Sequence, residues 1–108
     1  MQTYEIVQYI DAKGNRPFEQ WVSQIDAGPA AKVYAALRRM EVGNFSDSKL
    51  LTGGLWERRI HSGPGYRVYY ALHQRRLIVL LGGGTKQSQT IDIRKARKSW
   101  YEFKTRRD

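Results

Sequence analysis

The chain of 108 residues has no cysteine, two histidines and a formal net charge of +9. These features exclude disulfides and thiolate metal sites, and no apolar run approaches the roughly 20 residues of a membrane span. The N-terminal sequence MQTYEIVQYI lacks the pattern of a signal peptide. We therefore expect one soluble, cytoplasmic domain over residues 1–108, with no cofactor and no membrane partner.

The positive charge is concentrated in the second half of the chain. Residues 1–52 contain six Lys/Arg and six Asp/Glu, whereas residues 53–108 contain 13 basic and four acidic residues. Charge segregated in this way is typical of proteins that bind a polyanion, most often nucleic acid. A basic surface that only aids solubility is the alternative. Arginines that alternate with aromatic residues along predicted strands favour the polyanion.

The first half predicts a strand and a helical hairpin. Residues 3–10 have the composition of a strand. A helix over residues 17–25 begins with Pro17, which suits the first position of a helix, and a second helix spans about residues 29–42. Residues 44–52 are predicted to be a loop. The apolar side chains expected to pack on the sheet are Phe18, Trp21, Val22, Ile25, Val33, Leu37 and Met40.

Three strands joined by tight turns are predicted over residues 53–81. The turns are residues 62–65 and 73–76, where glycine, proline and polar residues cluster. The last strand, residues 77–81, is a continuous apolar run, which favours a strand covered on both faces. Residues 82–84 are three glycines without the spacing of a nucleotide-binding loop, so we expect a flexible exit from the strand.

A basic amphipathic helix is predicted over residues 88–104. Its apolar stripe contains Ile93, Ala96, Trp100 and Phe103, and its other faces carry lysine and arginine. The whole pattern predicts an α+β fold in the order β-α-α-β-β-β-α. Its sheet is rich in antiparallel pairs, with a two-helix hairpin packed on it and a basic C-terminal helix.

The motifs in the second half resemble a known family. They are G-G-L-W-E-x-R-I at residues 53–60, G-P-G-Y-R-V-Y-Y at residues 63–70, then the apolar strand, the glycines and Lys86. Together with the element order, they are similar to the RelE/ParE toxin superfamily over nearly the whole chain. The resemblance is closest to its phage-derived Gp49-like or HigB-like addiction module killer proteins.

The resemblance implies a partner and an activity. Members of the superfamily are small basic toxins neutralised by a cognate antitoxin, and they reach operator DNA only through it. Many cleave messenger RNA, commonly on the ribosome, whereas the ParE branch poisons DNA gyrase and is not a nuclease. The chain is thus expected to be a toxin of a type II toxin–antitoxin system, an endoribonuclease or mRNA interferase. A gyrase poison and a DNA- and antitoxin-binding regulatory module without enzymatic activity are the alternatives.

The same resemblance assigns five candidate catalytic residues. Arg67 matches a phosphate-contacting arginine of RelE-type nucleases, and Arg59 matches a basic position on the preceding strand. Glu57 stands where some relatives have lysine and others have glutamate as a general base. Lys86 matches a basic residue after the last strand. Asp92 occupies the region where the best-known nucleases have tyrosine or histidine.

Cleavage of RNA without a metal requires a base for the 2′-hydroxyl, positive charge on the phosphorane and a proton for the 5′-oxygen. Arg59 and Arg67 can hold the phosphate through paired donors. Glu57 or His61 can act as the base, although Glu57 can also simply form a cross-strand ion pair with either arginine. The candidates for assisting the leaving group are Lys86, Asp92 and His61.

Further RNA contacts are expected from basic and aromatic side chains near this site. Tyr66 or Tyr69 can stack on an unpaired base, and strand alternation requires one of the two to be core. A metal-dependent nuclease is disfavoured, because the basic half has only four carboxylates and hard cations need several oxygen ligands. The predicted RNA-binding residues are Arg58, Tyr66, Arg94, Arg97 and Lys98.

Overall fold

The computed structural model describes residues 2–106, which form five strands and three α-helices. The predicted order is confirmed, with one short strand added before the central three. The elements are β1 (Glu5–Gln8), α1 (Pro17–Val22), α2 (Ala27–Glu41), β2 (Ser48–Leu50), β3 (Leu55–Ile60), β4 (Tyr66–His73), β5 (Leu77–Thr85) and α3 (Gln89–Arg106). None of these helices is both long and apolar enough to cross a lipid bilayer.

The strands form one mixed sheet in the order β1-β5-β4-β3-β2. β1 pairs in parallel with β5, and every other neighbouring pair is antiparallel. The long α1–α2 crossover between β1 and the later strands lets β1 join the edge of β5 in the parallel sense. The prediction of a mainly antiparallel sheet is therefore confirmed.

Helices cover both faces of the sheet. On one face α1 and α2 pack against alternate residues of the central strands, and on the other face α3 packs against the remaining ones. β5 is buried on both faces, as its continuous apolar run predicted. The hairpin side of the core includes Phe18, Val33, Leu37, Met40, Val68, Tyr70, Ile78 and Leu80, and the α3 side includes Leu55, Tyr69, Val79, Leu81, Ala96, Trp100 and Phe103.

The segment predicted as a loop over residues 44–52 contains β2, so that prediction was wrong. Ser48, Lys49 and Leu50 pair antiparallel with β3, and the Ser48 hydroxyl accepts a hydrogen bond of 2.8 Å from Tyr70 on β4. A three-residue edge strand with serine and lysine is too short and too polar to give a period-two hydrophobic signal.

The prediction that the strand ends before the three glycines was also wrong, because β5 continues to Thr85. Gly82, Gly83 and Gly84 all pair with β4. A Cβ atom at Gly83 would overlap the Trp21 ring, and one at Gly84 would overlap the Asp92 carboxylate. The glycines are thus required because side chains of α1 and α3 lie directly on the backbone of the strand.

Candidate functional site

Strand alternation brings Glu57, Arg59 and Arg67 together on the α3 side of the sheet. Arg59 lies opposite Arg67 in the β3–β4 register, and Glu57 is two residues before Arg59 on the same face. Glu57 Oε1 lies 3.3 Å from Arg59 Nε, and its Oε2 lies 3.5 Å from Arg67 Nε. The predicted ion pairs are therefore present, and one carboxylate bridges both guanidinium groups.

The Glu57 carboxylate also accepts a hydrogen bond from the first residue of α3, Gln89. Gln89 Nε2 donates a hydrogen bond of 2.7 Å to Glu57 Oε2, and the Glu57 side chain is fully buried. A buried carboxylate needs such partners, since an unpaired charge inside the protein is very unfavourable. In this arrangement Glu57 orients the two arginines and has no contact with solvent.

The two guanidinium groups differ in their access to solvent. Each guanidinium group contacts Glu57 through Nε. The Arg59 side chain is 44% exposed and that of Arg67 is 10% exposed. Arg67 Nη1 also donates to the Gly65 carbonyl at 3.4 Å, and the backbone N–H of Lys86 donates to the same oxygen at 2.9 Å. Lys86, whose side chain is exposed, thus borders the pair of arginines.

Tyr69 and Asp92 lie deeper on the same face. The Tyr69 hydroxyl is buried and has no hydrogen-bond partner among residues 2–106 that meets normal geometry. Burial, and then the negative charges of Glu57 and Asp92, raise the pKa of Tyr69. The Asp92 carboxylate accepts a short hydrogen bond from the Ser88 hydroxyl and lies against Gly84. Tyr69, and not Tyr66, is therefore the fully buried tyrosine of the two.

Arg58 and Tyr66 do not join this cluster, because alternation turns both toward the helical hairpin. Arg58 is buried, and its Nη1 donates a hydrogen bond of 3.2 Å to the Ser46 hydroxyl. Burial lowers the pKa of the Arg58 guanidinium. The Tyr66 ring packs on Trp21 with centroids 6.3 Å apart. Both residues thus lie on the sheet face opposite Glu57.

The predicted RNA-binding residues of α3 are exposed, but they point in different directions. Arg97 Nη1 donates to the Thr52 carbonyl in the short turn before β3. Lys98 lines a groove on the other side of the helix, near β1. Arg94 is exposed one turn before Lys98. His61 is also apart from the arginines, with its side chain exposed and its Nε2 3.8 Å from an Asp47 carboxylate oxygen.

No pattern in the sequence indicates Gln89, which the structure adds to the site. Its role depends on how α3 docks across the sheet, and a glutamine in the first turn of a helix is unremarkable in a sequence. Among residues 2–106, no group of three or more His, Cys, Asp or Glu side chains is arranged to hold a metal ion. The donor set is instead suited to an oxyanion, which two guanidinium groups can bind through several N–H donors.

The fold and the site together define a class of small basic α+β proteins. In this class a mixed sheet lies between a helical hairpin and a basic helix, and one glutamate on the sheet bridges two arginines. Comparison with known families agrees with this architecture. Residues 20–104 match the family model of the phage derived protein Gp49-like (DUF891), and the chain belongs to this family. It is a family of RelE- and HigB-like toxins of toxin–antitoxin systems.

A relative from Haemophilus influenzae supports the same assignment. The two chains are 38% identical over 89 residues, which are 82% of this chain and 90% of the relative. The relative is described as an uncharacterized protein. The similarity therefore supports the assignment to the family and to the fold, and it gives no information about an activity.

Proposed function

We propose that this chain is the toxin of a type II toxin–antitoxin pair and that it cleaves messenger RNA without a bound metal ion. The observation that carries the proposal is the pair of arginines fixed by one buried glutamate on the sheet. Family membership supports the toxin role. A cognate antitoxin protein is the proposed partner, and translating ribosomes are the proposed place of action, with operator DNA reached only through the antitoxin.

The proposed chemistry starts with binding of the scissile phosphate by Arg59 and Arg67. Their side chains are already oriented by Glu57, so little rotamer entropy is lost when the phosphate binds. As the 2′-oxygen attacks, negative charge grows on the phosphorane, and the guanidinium groups stabilise it more strongly than in the ground state. We assign protonation of the leaving 5′-oxygen to Lys86, whose side chain is exposed beside Gly65.

The base for the 2′-hydroxyl is proposed to be Glu57 after the Gln89 side chain withdraws. The variant Glu57→Gln distinguishes a role as the base from a role in orienting the arginines. Its amide oxygen can still accept a hydrogen bond from either arginine, but it cannot take up the proton. If Glu57 is the base, Glu57→Gln abolishes cleavage as fully as Arg59→Ala does. If Glu57 only orients the arginines, Glu57→Gln retains a measurable fraction of the activity.

The proposal is tested by brief induction of the protein in cells and mapping of new 5′ ends on messenger RNA. Arg59→Ala is the informative variant, because Arg59 is 44% exposed and its loss leaves Glu57 paired with Arg67 and Gln89. Arg38→Ala on α2 is the matched control, since that arginine is also exposed. We expect new ends with the wild type and the control, and at least about 100-fold fewer with Arg59→Ala.

One observation favours a second candidate function, a poison of a protein target such as DNA gyrase. The carboxylate nearest the arginines is buried, and Asp92, in the first turn of α3, already accepts a hydrogen bond from Ser88. A binding poison needs no accessible base. Growth arrest with accumulated DNA breaks and no new messenger RNA ends would replace the nuclease proposal by this one.

A further inference from the structure

The short strand β2 extends the face of the sheet that carries the two arginines. Lys49 lies directly opposite Glu57 in the β2–β3 register. Directly opposed residues of neighbouring strands place their side chains on the same face, so Lys49 is on the α3 side of the sheet. Arg59 is two residues after Glu57 and is the diagonal neighbour of Lys49, a relation in which residues are about 7–8 Å apart. Lys49 therefore borders the site on the side of the sheet edge.

The local charge around Lys49 is positive. The Lys49 side chain is exposed, and it forms no ion pair within residues 2–106. Glu57, directly opposite, is fully buried and already pairs with Arg59 and Arg67. One carboxylate thus faces three cationic side chains. The excess positive charge is available to an anionic ligand.

The acidic residue that precedes β2, Asp47, has other partners. Its Oδ2 lies 3.8 Å from His61 Nε2. Burial lowers the pKa of Arg58, and the charge of Asp47 opposes this shift, so Asp47 is also close to an arginine of the hairpin side. The φ of Asp47 is 58°, which interrupts the alternation of extended backbone before β2. Alternation therefore does not carry the Asp47 carboxylate to the face of Lys49.

Arg97 continues the positive charge beyond Lys49. Its Nη1 donates to the Thr52 carbonyl, which lies in the turn between β2 and β3. This turn is at the end of the β2–β3 pair that is distant from Arg59. Arg59, Lys49 and Arg97 therefore follow one another along β3 on the α3 side. The row is longer than about 13 Å, since a strand rises about 3.3 Å per residue and Leu55 is four residues before Arg59.

We propose that Lys49 binds the RNA phosphate next to the one held by Arg59 and Arg67, so that the RNA strand runs along β3 toward Arg97. The inference rests on the proposed function, because it takes messenger RNA as the ligand. Proteins that bind single strands follow the backbone with a row of positive charges, one phosphate after another. Lysine is a compact point charge on a flexible chain, which suits a flanking phosphate that must be held but not oriented.

A lysine on an edge strand can also serve only to discourage pairing with another chain. That role needs an exposed charge on the strand and does not depend on which face of the sheet the charge occupies. Lys49 lies on the face of the arginines and next to their shared glutamate. The two roles differ in their effect on RNA binding, which protection of the edge leaves unchanged.

The test measures binding of a single-stranded hexauridylate with 2′-O-methyl groups, which has no 2′-hydroxyl to attack the phosphate and is therefore not cleaved. Fluorescence anisotropy gives the Kd over a series of KCl concentrations. The variants are Lys49→Ala, Lys49→Arg and, as a matched exposed lysine on α2, Lys32→Ala. The corresponding dinucleotide, which has a single phosphate, is titrated in parallel and followed by NMR.

We expect Lys49→Ala to bind the hexanucleotide at least about threefold more weakly near physiological salt and to reduce the slope of log Kd against log salt by about 0.7, the value for one phosphate contact on a single strand. Lys49→Arg and Lys32→Ala should match the wild type. The dinucleotide should bind equally to all four proteins, because its one phosphate occupies the two arginines. Unchanged affinity and slope in Lys49→Ala, or an equal change in Lys32→Ala, would overturn the inference.

Failure of the proposed cleavage gives a different result. In that case no new messenger RNA ends form in cells, while Lys49→Ala still weakens binding of the methylated strand, and the inference stands without the nuclease. New ends that depend on Arg59, together with wild-type binding by Lys49→Ala, would overturn the inference alone. No binding of the hexanucleotide by the wild type would contradict it as well.

Discussion

Arg59 and Arg67 both lie on predicted strands, but the two side chains differ in how much they contribute to the stability of the fold. Arg67 is almost completely buried and is ion-paired with a fully buried glutamate, whereas Arg59 is 44% exposed. Removal of one partner from a buried ion pair leaves an uncompensated charge in the protein interior. Loss of an exposed partner allows water to take its place. The sequence alone treats the two arginines as equivalent.

We therefore predict that Arg67→Ala lowers the free energy of unfolding by about 3 kcal/mol and that Arg59→Ala lowers it by less than about 1 kcal/mol. Urea denaturation followed by circular dichroism measures both values. Equal losses for the two variants would contradict the asymmetry of the site. The prediction also means that loss of toxicity in Arg67→Ala is informative only if the variant is shown to be folded.

Tyr9 gives the protein a pH dependence at the alkaline end. Its hydroxyl donates a hydrogen bond of 2.7 Å to Glu102, and burial, followed by this bond, raises the pKa of Tyr9 to about 12. Between pH 10 and about 12 the unfolded chain loses this proton while the folded chain keeps it. The contribution of Tyr9 to stability is therefore complete below pH 10 and is lost as the pH rises through this window.

We predict that Tyr9→Phe makes the free energy of unfolding fall less steeply between pH 10 and 11.5 than in the wild type. The difference in slope should approach about 1.4 kcal/mol per pH unit, the value for one proton. Some slope should remain in the variant, because burial also raises the pKa values of Tyr69 and Tyr70. Denaturation series at several pH values measure the slopes, and identical slopes would show that the Tyr9 hydroxyl is not protected.

At the scale of elements, the glycines of β5 determine how the helices dock. The Trp21 ring of α1 lies against Gly83, and the side chains of Ser88 and Asp92 lie against Gly84. Both positions are in a strand, where glycine is normally unfavourable because it has no side chain to pack. Here the missing Cβ atoms make room for the neighbouring side chains.

We predict that Gly83→Ala lowers the free energy of unfolding by about 2 kcal/mol, because the indole ring must move to admit the new methyl group. Gly28→Ala is the matched control. Gly28 lies in α2, and a Cβ atom there meets nothing within 4 Å apart from its own chain neighbours, so this change should alter the free energy of unfolding by less than about 1 kcal/mol. Thermal unfolding compares the two, and a neutral Gly83→Ala would contradict the close packing of Trp21.

The sequence predicted the elements whose periodicity is strong. The stripe of α3 was confirmed, since Ala96, Trp100 and Phe103 are buried against the sheet. β2 was missed because a three-residue edge strand with two polar residues carries no periodic signal, and the predicted end of β5 is too early because glycine usually marks the end of a strand. Both errors concern residues whose conformation is set by contacts distant in sequence.

The candidate site was predictable only in part for the same reason. Glu57 and Arg59 are two residues apart on one strand, so their side chains lie on the same face and an ion pair between them could be expected. Glu57 accepts a hydrogen bond from Gln89, 32 residues later, and no local pattern indicates that contact. Arg58 was expected to join the RNA-binding residues, yet strand alternation alone already turns it to the opposite face.

At the scale of the whole molecule, the charge that is segregated in the sequence becomes segregated in space. The neutral first half supplies the α1–α2 hairpin on one face of the sheet, and the basic second half supplies the central strands and α3 on the other.

In the proposed nuclease, the arginines bound to Glu57 stabilise attack of the RNA 2′-hydroxyl on its own phosphate. This reaction leaves a 2′,3′-cyclic phosphate on the upstream fragment, so the end group reports the reaction itself. Sequencing specific for cyclic phosphate ends, after brief induction, should find new ends with the wild type and Arg38→Ala and at least about 100-fold fewer with folded Arg59→Ala. Cyclic phosphate ends that are absent from the wild type, or unchanged by Arg59→Ala, would contradict the proposed cleavage.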